Sequence, residues 1–82
     1  MRARLGTADL VSALLFRGPA RSELERAIRG DVDLETTAAQ LDEVEAALTD
    51  LGVPDELARL ARRELGDLAD VVASAGPPIL RP

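Results

Sequence analysis

The chain has 82 residues, a net charge of −5 and a single aromatic residue, and it contains neither Cys nor His. A chain of this length forms one small domain, and without Cys it has no disulfide framework and no thiolate site, which fits a reducing cytoplasm. Lys and Tyr are absent as well. Because these residues usually perform general acid–base and nucleophilic catalysis, we expect no enzyme, no cofactor and no small-molecule substrate.

The charges are segregated along the chain. Residues 31–56 contain nine carboxylates and no basic residue, whereas six Arg precede this segment and four follow it. An acidic centre between Arg-bearing arms can form ion pairs within the fold or across a dimer. Phosphate binding needs a net basic surface, so we expect no nucleic acid as a partner.

The first helix is predicted to begin after Thr7, which acts as N-cap, and to continue to about Arg17. Asp9 in its first turn is favourable next to the positive end of the helix dipole. Apolar side chains surround most of this helix, which predicts burial against the rest of the chain or against a partner: Leu10, Val11, Leu14, Leu15 and Phe16. This run is far shorter than the roughly 20 residues needed to cross a membrane, so no membrane contact is expected.

A second, short helix is predicted for residues 20–29. Gly18 and Pro19 interrupt the chain before it, and Ser22 with Glu25 has the spacing of a capping box. Gly30 suits the left-handed position that ends a helix.

The central acidic segment has the clearest helical periodicity. Leu34, Leu41 and Leu48 are seven residues apart, and so are Val44 and Leu51. On a helical wheel these side chains form a narrow apolar seam of the kind one helix presents to another. The pattern predicts a helix over residues 34–51 with an anionic outer surface.

The ends of this helix are indicated by cap and turn residues. Asp33 or Thr36 could serve as its N-cap, and Thr37 with Gln40 offers a capping box further along. Gly52 and Pro54 indicate a short connection to a helix over residues 54–74. A short connection predicts an antiparallel hairpin of the two helices.

The last predicted helix has one broad apolar face, formed by Leu57, Leu60, Ala61, Leu65, Leu68, Val71 and Val72. Glu64 lies within the same arc. A carboxylate there must pair with an Arg of the first or second helix or of a neighbouring chain, or must reach water. Residues 75–82 contain three prolines and are predicted to form an extended arm.

Two segments partly match the sequence patterns of known kinds of site. Asp31, Asp33 and Glu35 begin like a calcium-binding loop, but Thr36 stands where that loop needs Gly, so no metal site is expected. A helix-turn-helix can be drawn across residues 44–65, although the helix before the turn is uniformly anionic.

The sequence therefore predicts an all-α domain over residues 1–74, a small bundle of three to four helices built around the hairpin of residues 34–51 and 54–74. We expect a non-enzymatic protein–protein interaction module, a structural or adaptor subunit that self-associates. The alternatives are an acidic regulator that docks on a basic surface of another protein and, less favoured, a DNA-binding helix-turn-helix. The residues expected to contact a partner are Leu10, Leu14, Phe16, Leu41, Val44, Leu48, Leu51 and Glu64.

Overall fold

A computed structural model describes residues 2–73 of the chain. Within this range the elements follow in the order β1 (Arg2–Arg4), α1 (Thr7–Leu15), α2 (Pro19–Ile28), β2 (Asp33–Thr37), α3 (Ala38–Asp50), α4 (Asp55–Leu68) and β3 (Asp70–Val72). The chain is mostly helical, and α3 and α4 form the predicted hairpin. The arm predicted for residues 75–82 lies outside the described residues.

A small parallel sheet replaces parts of the predicted helices, so the all-α prediction is not exact. The strands are arranged in the order β1-β2-β3. Residues 34–37 belong to β2 and residues 70–72 to β3, and the two helices of the hairpin are correspondingly shorter than predicted. These segments contain Thr36, Thr37, Val71 and Val72, whose branched Cβ atoms favour strands over helices. The seven-residue spacing of Leu34 from Leu41 is therefore not a helical repeat.

The sheet has one covered and one open face. In register, Arg2, Ala3 and Arg4 lie beside Asp33, Leu34 and Glu35, and Glu35 lies beside Asp70. Side chains alternate between the faces of a strand. Along β2, Leu34 and Thr36 are buried while Asp33 is exposed. The helices therefore cover one face of the sheet, and the charged side chains of the strands line the other.

The helices form a row beside the sheet in which α2 packs on α1, α1 on α3, and α3 on α4. One apolar core lies between this row and the sheet, and its most buried large side chains are Leu10, Val44 and Leu48. Leu41 and Leu34 belong to the same core. The apolar seam predicted for the central helix is therefore covered by its own chain, except at Leu51.

The caps explain why α3 lies where it does. Thr37 is its N-cap, and its side-chain oxygen accepts a hydrogen bond from the Gln40 backbone N–H at 3.0 Å. At the other end Gly52 has φ 98°, and the N–H groups of Gly52 and Val53 donate to the carbonyls of Thr49 and Leu48. This is a Schellman motif, for which Gly is favoured because it adopts positive φ without strain.

The two earlier helices begin differently from the sequence prediction. α2 starts at Pro19 with Gly18 as its N-cap, so Ser22 lies inside the helix and the predicted capping box is wrong. Gly6 is the N-cap of α1, and Thr7 instead donates its hydroxyl hydrogen to Glu43 Oε1 at 2.7 Å. Gly30, with φ 84°, ends α2 as predicted.

Candidate interaction surface

Helix α4 lies at one end of the helical row, and α3 is the helix it packs against most extensively. Ala58 and Leu65 are buried on the side that faces the core. Next to them, the α carbon of Gly66 approaches Leu41 of α3 so closely that a Cβ atom there would lie 3.6 Å from the leucine Cδ1. These contacts define the covered side of α4.

The side of α4 that faces away from α3 is apolar but exposed. With about 100° of rotation per residue, Leu57, Leu60 and Glu64 fall on a stripe well away from Gly66. Leu57 is 54% exposed and Leu60 is 46% exposed. The apolar arc of this helix is therefore wider than its neighbours in the described chain cover. We call Leu57, Leu60 and Glu64 the α4 stripe.

Strand β3 ends the sheet on the same side of the molecule. Val71 lies beside Thr36 in the register, on the face that the helices cover. Thr36 is 4% exposed, whereas Val71 is 49% exposed, so the helical cover stops at this strand. Within residues 2–73, β3 pairs only with β2, which leaves the backbone hydrogen-bonding groups of its other edge without a strand partner. The α4 stripe and this edge together form what we call the α4–β3 end.

The charged side chains around the α4 stripe also lack ion-pair partners in the part of the chain that the structure describes. They are Glu56, Arg59, Arg63 and Glu64. At the opposite end of the helical row, α2 holds its charges in pairs: Arg21 with Glu25 at 3.7 Å, and Arg26 with Glu23 at 3.1 Å. The two ends of the helical row therefore differ in charge pairing.

Within residues 2–73, four of the nine carboxylates of the acidic centre pair with arginines of the same chain. Arg2 and Arg4 both pair with Glu35, Arg29 pairs with Asp31, and Arg62 contacts Asp42 and Glu45. The hydrogen bonds from Arg62 to Asp42 and Glu45 raise the pKa of the Arg62 guanidinium. The outer surface of α3 is thus less anionic than its sequence suggests.

The residues expected to contact a partner do not form one surface in the structure. Leu10, Leu41, Val44 and Leu48 are buried in the core and Leu14 is half-buried, so these five offer little surface to another chain. Phe16 and Leu51 are each 64% exposed. Leu51 lies near the start of α1 and Phe16 follows its end, so they do not form one patch. Glu64 is exposed on α4 and reaches water.

The sequence placed Leu57, Leu60 and Val71 on the broad apolar face of the last predicted helix, but of the α4–β3 end only Glu64 was expected to contact a partner. The signal that could have identified them is the width of the apolar arc of α4. It includes Leu57 and Leu60 on one side and Leu65 on the other, which is more than one neighbouring helix covers. Which half of the arc stays exposed depends on where α3 lies, and the sequence of α4 does not contain that information.

Other kinds of site receive little support from the described residues. Within residues 2–73 there is no group of three or more side chains that could hold a metal ion. None of the helices in this range combines the length and apolar character needed to cross a membrane. Comparison with protein families, with curated proteins and with solved structures gives no match to this chain.

Proposed function

We propose that this protein is a small, non-enzymatic protein–protein interaction module that associates with itself. The observation that carries the proposal is the α4–β3 end, where no other part of residues 2–73 covers the outer side of α4 or pairs with the free edge of β3. Leu57 and Leu60, on the outer side of α4, and Val71, on the helix-covered face of β3, are each about half exposed there. A neighbouring chain is the simplest way to cover them.

The energetic reasoning favours association over a solitary chain. Full burial of one large aliphatic side chain stabilises by roughly 1.5–3 kcal/mol, so covering the remaining half of Leu57, Leu60 and Val71 adds a few kcal/mol in total. An unpaired strand edge is also a ready template for another strand. A domain of this size has a thin stability margin, which makes such a contribution important.

The alternative of an acidic regulator is less favoured, because arginines of the same chain already engage Glu35, Asp42 and Glu45. A DNA-binding role for α4 is less favoured for a related reason. Its Arg62 points to the carboxylates of α3, and acidic residues flank the remaining arginines. Phosphate binding would have to overcome this negative surface.

Sedimentation equilibrium tests the proposal directly. The chain has no Trp or Tyr and hardly absorbs at 280 nm, so interference optics are required. We expect the mean mass to rise above 8.7 kDa as the protein concentration increases from about 5 to 500 μM. The association should persist in roughly 1 M salt, where charges are screened beyond about 3 Å. A mass that stays at the monomer value throughout would refute self-association.

A further inference from the structure

We infer that the partner of the α4 stripe is the same stripe of a second copy, which gives a closed twofold dimer. This inference rests on the proposed self-association and specifies its surface and symmetry. In the dimer, α4 packs antiparallel against α4 of the second copy. A twofold axis perpendicular to the two helices relates them, so the contact closes on itself.

The sequence of α4 is self-complementary in this arrangement. When two copies of a helix pack antiparallel, residues whose numbers have a constant sum lie opposite each other. If Leu57 lies opposite Leu60 of the second copy, then Leu60 also lies opposite Leu57 of the second copy. The leucine pair therefore forms twice, once on each side of the axis. The two exposed leucines of each copy then cover one another, which is the pairing that helix packing favours.

The charges beside the leucines fit the same alignment. In this alignment Glu56 is displaced from Arg63 of the second copy by only two residues, or about 3 Å, along the helix axis. Both side chains lack an ion-pair partner within residues 2–73. The side chains of Glu56 and Arg63 are long enough to span that offset. The dimer therefore gains two symmetry-related ion pairs at the rim of the leucine contact. Such pairs fix the alignment more than they add affinity.

A head-to-tail arrangement, with β3 against β1 of the next copy, fits less well. It would place the apolar α4 stripe near the α2 end, where the arginines are already paired with their own glutamates. On β1, Arg2 and Arg4 are engaged by Glu35. Such contacts also do not close, and they generate open chains of copies.

The inference is tested in the full chain with Leu60→Glu and a matched control, Ile28→Glu. Ile28 lies on α2 at the far end of the helical row and is 64% exposed, so both changes put a carboxylate in place of an exposed aliphatic side chain. For an interface this small we expect a dissociation constant on the order of 1–100 μM. Leu60→Glu should weaken the dimer by roughly 100-fold, because it buries an unpaired charge at the centre of the contact. Ile28→Glu should leave the dissociation constant unchanged.

A charge exchange tests the alignment without touching the apolar contact. Glu56→Arg brings like charges together across the dimer and should weaken it by roughly 5-fold to 10-fold. Adding Arg63→Glu to the same chain restores opposite charges and should return the dissociation constant to near the original value. Both residues are exposed, so these variants keep their fold, and circular dichroism confirms this before each sedimentation run.

The possible outcomes separate the inference from the proposed function. A mass limit at twice 8.7 kDa, abolished by Leu60→Glu and rescued in the double charge variant, supports the closed dimer. If self-association is unchanged by Leu60→Glu, or if it continues beyond a dimer, the inference is overturned but the proposed function is not. A strict monomer overturns both.

Discussion

Helices α3 and α4 belong to one hairpin and both have an amphipathic sequence, yet their large apolar residues have different surroundings. In α3, Leu41, Val44 and Leu48 are all buried. In α4, Leu65 is buried while Leu57 and Leu60 remain about half exposed. The difference follows from position in the helical row, because α3 lies between α1 and α4 whereas α4 lies at the end. Periodicity identifies an apolar face, but the number of neighbours decides how much of it is covered.

The largest effect that distinguishes the two helices is expected from truncating one leucine in each. Leu48 is 2% exposed, so Leu48→Ala leaves a cavity and should lower the free energy of unfolding by about 2–5 kcal/mol. Leu57→Ala removes a half-exposed side chain and, measured on the dilute monomer, should cost less than about 1 kcal/mol. Urea unfolding followed by circular dichroism measures both.

The conservative change Leu48→Met separates lost volume from other causes. It keeps most of the side-chain volume and should cost less than about 1.5 kcal/mol. If Leu57→Ala destabilised the dilute monomer as much as Leu48→Ala does, the two helices would be equally covered. The contrast between the middle and the end of the row would then be wrong.

The sequence predicted the parts of the fold that depend on local chemistry. Gly30 and Gly52 mark the ends of α2 and α3, and Thr37, one of three N-cap candidates, caps α3, although the helix was predicted to start at residue 34. The hydrogen bonds of these caps form between residues close in the chain. The hairpin of α3 and α4 followed from the short connection at Gly52 and Pro54. These predictions are confirmed because no distant part of the chain is needed to form the caps and the turn.

The sheet and the candidate interaction surface depend on distant residues, and the sequence did not predict them. Leu34 has a spacing that fits the helical seam, but Asp33 and Leu34 pair with Arg2 and Ala3, about 30 residues earlier. Strands of three residues, such as Asp70–Val72, are also too short to show alternation. The exposure of Leu57 followed only from the position of α3. In each case a tertiary neighbour overrides the local pattern.

Two glycines extend the comparison of the helices, because adding a methyl group should have opposite effects at the two positions. Gly52 ends α3 with φ 98°, where a Cβ atom is strained, so Gly52→Ala should destabilise by about 1–2 kcal/mol. Gly66 lies inside α4, and an added Cβ would meet Leu41 at 3.6 Å, an ordinary contact. Gly66→Ala should therefore stabilise by up to about 1 kcal/mol.

Thermal and urea unfolding of these two variants, in the same buffer, give the two signs directly. Each variant serves as the other's control for the general effect of replacing glycine by alanine on the unfolded chain. Equal shifts of the same sign would mean that the backbone at Gly52 tolerates a side chain, which contradicts the left-handed end of α3.

The smallest effect is expected at the ion pairs that connect the two helices. Arg62 of α4 reaches Asp42 and Glu45 of α3 at the surface, and Arg62→Gln keeps much of the side-chain length while removing the charge. We expect Arg62→Gln to lower the free energy of unfolding by less than Gly52→Ala does. Because salt screens exposed ion pairs, roughly 1 M salt should reduce the stability difference between Arg62→Gln and the original protein.

The pKa of Arg62 is raised in the folded protein by its bonds to Asp42 and Glu45, which fixes the sign of the pH dependence. A raised pKa gives stabilisation that is complete below the unfolded-state value and is lost only as the pH rises through the folded-state value. Both values are far above neutrality, so the stability difference between the original protein and Arg62→Gln should not change between about pH 7 and 10. A difference that is insensitive to salt would instead assign the role of Arg62 to the packing of its aliphatic stem between α3 and α4.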